Sequence, residues 1–264
     1  MKKRCIVLIC LLALVLWVLW GNTALEVNEW RIQSDRLPEA FDGFRIAQVS
    51  DLHNTKNEKL LPLLEKAEPD VIVLTGDLID SRNTDVAAAL DFVREAVKIA
   101  PCYYVSGNHE SRVPERYDLW AGLEELGVMM LDNASAELVR GGECIRLIGL
   151  ADPDFGGNPG AVLEELTGED TGFTVLLSHR PELFDVYTEF SVDLVFSGHA
   201  HGGQFRLPIL GGLVAPHQGL FPEYDAGLFT ENGTAMLVSR GVGNSIIPIR
   251  FNNRPEIVLA VLVR

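Results

Sequence analysis

The sequence predicts an α/β domain in which short strands alternate with amphipathic helices, behind one separate apolar N-terminal segment. Three observations carry that expectation. From Phe44 onward, short β-branched runs alternate with stretches of helical spacing. The chain of 264 residues is long enough for one large domain with a buried core, and no internal repeat, low-complexity tract or linker divides it. Groups of Asp, Asn, His and Gly follow the strand candidates at once, where open sheets present ligands and catalytic groups.

The N-terminus comes first. Lys2, Lys3 and Arg4 precede an unbroken apolar run of 16 residues from Cys5 to Trp20, after which Gly21, Asn22 and Thr23 restore polarity. That length lies between a signal-peptide core and a spanning helix. Asn22-Thr23-Ala24 is a poor cleavage site, and Trp17 and Trp20 suit an interfacial belt, so the reading favours an uncleaved signal anchor over residues 1–24 and a domain over 25–264. With the basic residues before the helix and Glu26 and Glu29 after it, the domain is expected outside the cytoplasm, tethered by a single pass.

Asn22–Leu37 is expected to be a tether followed by a first edge strand. Strands are then expected at Phe44–Val49, Val71–Leu74, Tyr103–Val105, Ile145–Leu150, Thr174–Leu177 and Leu194–Phe196, each short and largely apolar. Asn57–Glu68, Thr84–Ala100, Glu115–Leu126, Pro159–Leu166 and Pro181–Phe190 carry helical spacing between them, several with a Pro or an Asn/Thr cap at the start. After His201 the character changes. Gly202–Tyr224 is rich in Gly and Pro, Asn232-Gly233 marks a hairpin between Gly227–Thr230 and Thr234–Ser239, and Glu256–Val263 closes the chain, all expected antiparallel.

The formal charge is −15, and setting aside the three basic residues of the N-terminal segment leaves −18 on the rest. An acidic domain without a basic stripe is a poor partner for polymeric nucleic acid, whose binding rests on neutralised phosphates. Cys5 and Cys10 belong to the apolar segment. Cys102 and Cys144 lie in strand-like runs and are expected to be small buried core residues, although an outward-facing domain would permit a disulfide between them.

Five of the six histidines fall in short motifs: Asp51-Leu52-His53, Gly76-Asp77-Leu78-Ile79-Asp80, Gly107-Asn108-His109-Glu110, the single His179, and Gly198-His199-Ala200-His201. Asp51 and His53, one residue apart in a strand-terminal loop, can converge on one cation. Asp77 has two carboxylate oxygens and can touch two cations, while Gly76 lets the backbone turn closely against them. Asn108 is absent from the usual Cys/His structural zinc sets, and mixed Asp, Asn and His suits a dinuclear hydrolytic centre of zinc, manganese or iron.

The series resembles the calcineurin-like metallophosphoesterase superfamily, whose signature runs D-x-H, G-D-x-x-D, G-N-H-D/E, H and G-H-x-H; all five blocks are present in order. The segments His201-Gly202-Gly203-Gln204 and Ser239–Asn244 resemble its small membrane-associated bacterial branch. The resemblance implies a four-layer α-β-β-α sandwich of two mixed sheets flanked by helices. It further implies one metal held by Asp51, His53, Asp77 and His201, and a second by Asp77, Asn108, His179 and His199. Hydrolysis of a phosphoester or pyrophosphate by metal-bound hydroxide would follow. His109 would contact the phosphoryl group and protonate the leaving oxygen. Asn108 would also touch substrate, and Asp80 and Glu110 would orient histidines or backbone.

Arg180 is read either as a phosphate clamp or as a surface ion pair. His217 is read as a surface residue, and Arg240 either reaches substrate or merely precedes a bend. A phosphorylated small molecule or lipid is the expected substrate. A UDP-2,3-diacylglucosamine-type pyrophosphate is one alternative that the branch implies, though a cytoplasmic lipid conflicts with an outward-facing domain. A metal-binding scaffold without chemistry is the other, opposed by His109. A zinc peptidase lacks its His-Glu-x-x-His.

Overall fold

Residues on the central strands alternate strictly between two apolar environments, which is the arithmetic of a sheet covered on both faces. The structure is a computed structural model and describes residues 2–168, 172–244 and 248–264. Helix α1 (Lys2–Thr23) leads into β1 (Glu26–Gln33), β2 (Arg45–Val49), α2 (Leu60–Lys66), β3 (Val71–Thr75), α3 (Val86–Ile99) and β4 (Cys102–Val105). Next come α4 (Asn108–Ser111), α5 (Arg116–Glu125), β5 (Met129–Met130), β6 (Ala134–Arg140), β7 (Glu143–Gly149), α6 (Pro159–Thr167), β8 (Thr174–Leu177), α7 (Phe184–Tyr187) and β9 (Leu194–Ser197). Two short ribbons follow, β10 (Arg206–Leu207) with β11 (Gly211–Gly212) and β12 (Val214–Ala215) with β13 (Gly219–Leu220). The hairpin β14 (Gly227–Glu231) and β15 (Thr234–Val238) and the last strand β16 (Glu256–Val263) complete the chain.

Two six-stranded mixed sheets result, ordered β1-β16-β2-β3-β4-β5 and β14-β15-β9-β8-β7-β6. Val73 of β3, Val175 and Leu177 of β8, Phe196 of β9 and Val258 and Leu262 of β16 fill the space between the sheets. Their neighbours Ile72, Leu74, Ile257 and Leu259 face α2, α3 and α5, whereas Leu176 and Val195 face α6 and α7. The order is helix, sheet, sheet, helix, the four-layer sandwich anticipated above. One polar side chain crosses the middle: buried Gln48 donates to Thr75 Oγ1 and to the carbonyl of Ser197, both at 2.8 Å, and ties the sheets together beneath the strand ends.

Several boundaries differ from expectation for local reasons. The helix expected over Asn57–Glu68 forms only at Leu60–Lys66, and that over Pro181–Phe190 divides into a 3₁₀ turn at Pro181–Leu183 and α7. The late strands are not all antiparallel: β15 pairs parallel with β9, and β16 lies parallel to β1 but antiparallel to β2. Strand β6 was not foreseen, because Ala134–Arg140 buries little on its outer face, although Gly141-Gly142 beside a strand is a hairpin signal. Cys144 corrects another expectation. Cys102 is buried, but Cys144 alternates with inward-facing Ile145 and so is exposed; both thiols are free.

Candidate metal centre

Strands β2, β3 and β4 run parallel in one sheet, and β7, β8 and β9 in the other. Their carboxyl ends therefore open at one end of the sandwich. Asp51 and His53 follow β2, Asp77 follows β3, Asn108 follows β4, His179 follows β8, and His199 and His201 follow β9. All seven are buried, and the structure brings them together.

His201 Nε2 lies 3.2 Å from both His53 Nε2 and Asp51 Oδ1. On the other side, His179 Nε2 lies 3.2 Å from Asn108 Oδ1, 3.1 Å from His199 Nδ1 and 3.3 Å from Asp77 Oδ2. Asp77 Oδ2 is also 3.7 Å from His53 Nε2, so this one carboxylate faces both groups. Ligands bound at about 2.0–2.2 Å to a first-row divalent cation stand roughly 3–3.5 Å apart. The spacing fits.

The chemistry of the donors fits as well. The carbonyl of Thr75 lies 2.7 Å from His179 Nδ1 and takes the proton there, so Nε2 is the nitrogen turned inward. Asn108 directs its oxygen at the histidine nitrogens, although turning the amide over would let its NH₂ donate to His199 Nδ1 at 2.8 Å. Carbonyl oxygen, carboxylate and imidazole nitrogen gathered face to face repel one another unless a proton or a cation lies between them.

Local backbone geometry holds the candidate ligands at a conformational cost. Asp51, His53, Asp77, His199 and His201 all have left-handed backbone, with φ between 45° and 65°. Non-glycine residues in that region are uncommon and cost of order 1–3 kcal/mol each when the surroundings impose them. Space is equally restricted at Gly107, where a Cβ would run into the Asp77 carboxylate.

Glu110 shows how the strain is held. Its buried carboxylate accepts from the backbone N–H of Asp77 (3.0 Å), Leu78 (2.8 Å), Ile79 (3.3 Å) and Gly107 (2.9 Å), joining the loops after β3 and β4. Burial and then the charge of Asp77 push this carboxyl up to about 7, against the pull of those N–H donors. Burial opposes charge on His179 too, but the adjacent Asp77 wins and pushes it up to about 10. Burial lowers His201 to about 3, with Asp51 opposing.

His109 sits at the edge of the cluster. Its Nδ1 accepts from the backbone N–H of Ser81 at 3.0 Å, with Asp80 Oδ1 3.5 Å away, so Nε2 carries the proton and points inward, 3.9 Å from Asp77 Oδ2. Asp80 is in turn engaged by Arg82 at 2.8 Å.

Arg180 is neither an exposed side chain nor a surface pair. It is buried, with Asp152 gripping Nε at 2.5 Å and Nη2 at 2.8 Å, while Asp154 lies 2.9 Å from Nη2. Its Nη1 turns toward the site, 2.7 Å from His217 Nδ1. His217 is exposed as expected, yet it also belongs to the site: its ring stacks on that of His199 at 5.1 Å and its Nδ1 lies 2.9 Å from His199 Nε2. It reaches there from the turn between β12 and β13, a placement no sequence motif announces. Arg240 pairs with Glu26 and Glu256 instead of entering the cluster.

A four-layer sandwich with buried metal donors at the carboxyl ends of its strands defines a metal-dependent hydrolase, and comparison with known proteins makes it a hydrolase of phosphoric esters. The chain belongs to the calcineurin-like phosphoesterase family, whose model matches residues 44–203. It is 30% identical over 252 residues to the uncharacterized metallophosphoesterase YkuE of Bacillus subtilis, covering 90% of this chain and 85% of that one. It is 28% identical to the phosphodiesterase YaeI of Escherichia coli, covering 83% of this chain and 82% of that one. A transmembrane protein with a metallophosphoesterase domain from Danio rerio is 28% identical across 90% of this chain, which spans only 57% of that longer protein.

Proposed function

We propose that the chain is a membrane-tethered phosphoesterase that works with two divalent cations of manganese, zinc or iron. The carrying observation is the position of Asp77, whose Oδ2 faces both His53 and His179. Asp51, His53, Asp77 and His201 would hold one cation; Asp77, Asn108, His179 and His199 would hold the other. When bound, the cations would supply Lewis-acid charge for phosphoryl oxygens and would lower the pKa of a coordinated water.

The chain's own groups do the rest. His109 presents its Nε2 proton to the leaving oxygen, and Ser81 and Asp80 fix the ring that does so. Asn108 and the inward Nη1 of Arg180 bind phosphoryl oxygens, with Asp152 aiming the guanidinium. Glu110 holds the backbone of both ligand loops. Helix α1, whose segment Lys3–Thr23 is long and apolar enough to cross a membrane, acts as the anchor for the domain of residues 25–264.

The basic N-terminus supports an extracytoplasmic domain. That orientation favours an exported envelope or lipid phosphate over a UDP-2,3-diacylglucosamine-type pyrophosphate. The name of the Escherichia coli relative supports a phosphodiester. Bound metal and turnover of activated phosphomonoesters and diesters, measured on full-length native, Asp77→Ala and His109→Ala proteins, test the reading. Both variants should lose at least about 100-fold in turnover, and only Asp77→Ala should lose metal. A metal-loaded native protein that turns over neither ester would leave the scaffold reading standing instead.

A further inference from the structure

The chain exposes ten large apolar side chains outside α1 among its described residues, and six of them come from one place: Leu207, Ile209, Leu210, Leu220 and Phe221 from the two ribbons, and Ile249 from the loop before β16. Solvent-facing apolar side chains scattered singly are ordinary, but a group of this kind beside a functional site marks an interaction surface. Ile209 is the extreme case. Its side chain is completely exposed, and its backbone is held at φ 73°, a conformation that a β-branched residue strongly disfavours. Among the described residues, no side-chain contact accounts for that.

Charge points the same way. Residues 201–222 contain no Asp or Glu, on a chain that carries 37 acidic residues in all, and Asp225, which pairs with Arg206 at 3.0 Å, is itself buried. A surface stretch with apolar tips and no negative charge suits the interfacial layer of an anionic bilayer.

Position identifies the occupant. The last turn of α1 is fastened to the loop bearing Ile249: Asn22 Nδ2 donates to the carbonyl of Arg250 at 2.9 Å, the N–H of Arg250 donates back to Asn22 Oδ1 at 2.7 Å, and the Arg254 guanidinium lies 4.9 Å over the Trp20 ring. Gln204 joins the same loop to the ribbons through the carbonyl of Ile249 at 2.8 Å. From there the metal centre is adjacent, since Asn253 donates to the carbonyl of His201 at 2.7 Å and the N–H of Leu213 donates to the carbonyl of Gly203 at 3.1 Å. Trp17 and Trp20, exposed near the end of α1, belong at the depth of the lipid headgroups. The apolar tips are therefore one loop away from where α1 leaves the hydrocarbon.

We propose that the β10–β11 and β12–β13 ribbons form a rim that docks on the bilayer α1 enters, so that the metal centre acts on phosphoesters still embedded in that membrane. The inference rests on the reading of the centre as a phosphoesterase and of α1 as an anchor. Leu207, Ile209, Leu210, Leu220, Phe221 and Ile249 enter the interface, and His217, on the same ribbon as Leu220, faces the lipid headgroup layer.

The test uses the full chain, with Cys5, Cys10 and Cys144 changed to Ser, reconstituted in phosphatidylethanolamine–phosphatidylglycerol vesicles. A bimane fluorophore is attached at Leu210→Cys, Phe221→Cys or, at the far end of the second sheet, Val139→Cys. Nitroxide-labelled lipid should quench the fluorophore at 210 and 221 and leave 139 unquenched, whereas iodide in the water should do the reverse. Equal iodide quenching at all three positions would overturn the docking. In parallel, Leu210→Glu and Phe221→Glu should lower hydrolysis of a long-chain p-nitrophenyl phosphodiester in vesicles at least tenfold while keeping bis-p-nitrophenyl phosphate turnover in solution within twofold. An equal effect on both substrates, or none on either, overturns the proposal. Should the native chain hydrolyse neither substrate, the phosphoesterase reading falls, and the quenching pattern alone decides the docking.

Discussion

Glu110 Oε2 receives the backbone N–H of Asp77 at 3.0 Å, so a carboxylate that lies outside the candidate ligand set fixes the loop of its most central member. The same side chain takes three further N–H groups. Glu110→Ala would leave all four donors buried without partners. Unsatisfied buried donors cost about 1–3 kcal/mol each before relaxation, and we expect a net loss of about 3 kcal/mol or more. For a chain of this size, that lowers the melting temperature by roughly 6–12 °C. Calorimetry and metal analysis check it; unchanged stability with full metal content would refute this role.

Proton competition should govern metal uptake. In the cation-free protein His179 is pushed up to about 10, with Asp77 the chief cause opposing burial, so it holds a proton at neutral pH. A cation at His179 Nε2 must displace that proton. Apparent affinity should therefore rise with pH by up to about tenfold per unit until near pH 10. Titration calorimetry at pH 7.5 in buffers of different ionisation enthalpy should report proton release; identical heats in every buffer would contradict it.

His217 should tune its neighbour. With Nδ1 2.9 Å from His199 Nε2 and 2.7 Å from Arg180 Nη1, it braces the outer edge of the His199 ring and leaves His199 Nδ1 turned into the cluster. Removing such a partner from a ligating histidine weakens metal binding by about 10–100-fold. We expect His217→Ala to show that loss and His217→Gln, which keeps an acceptor, a smaller one. Competition with a chromophoric chelator measures both, and equal affinities in all three proteins would remove His217 from the centre.

Much of this site was legible because its chemistry demands scarce residues at fixed offsets from strands. Thr174–Leu177 and Glu256–Val263 match their expected bounds, since short, almost continuous apolar runs bounded by polar or Gly/Pro residues are the mark of a fully buried strand. The candidate ligands of the five motifs converge because parallel strands deliver their loops to one end. What stayed hidden depends on tertiary placement. His217 reaches His199 only through the path of the ribbons, and Arg180 owes its burial to Asp152 and Asp154 at the end of β7. Strand β6 escaped because its exposed face carries Ser135, Glu137 and Val139 and gives little periodic apolar signal.

The left-handed backbone at Asp51, His53, Asp77, His199 and His201 has a consequence for anyone transplanting this centre. Copying the motif letters into a loop of another scaffold would supply the side chains while leaving them aimed elsewhere, because relaxed φ angles redirect every Cα–Cβ bond. A graft needs the turns first, together with the acid that clasps them and the bare α-carbons against which they close.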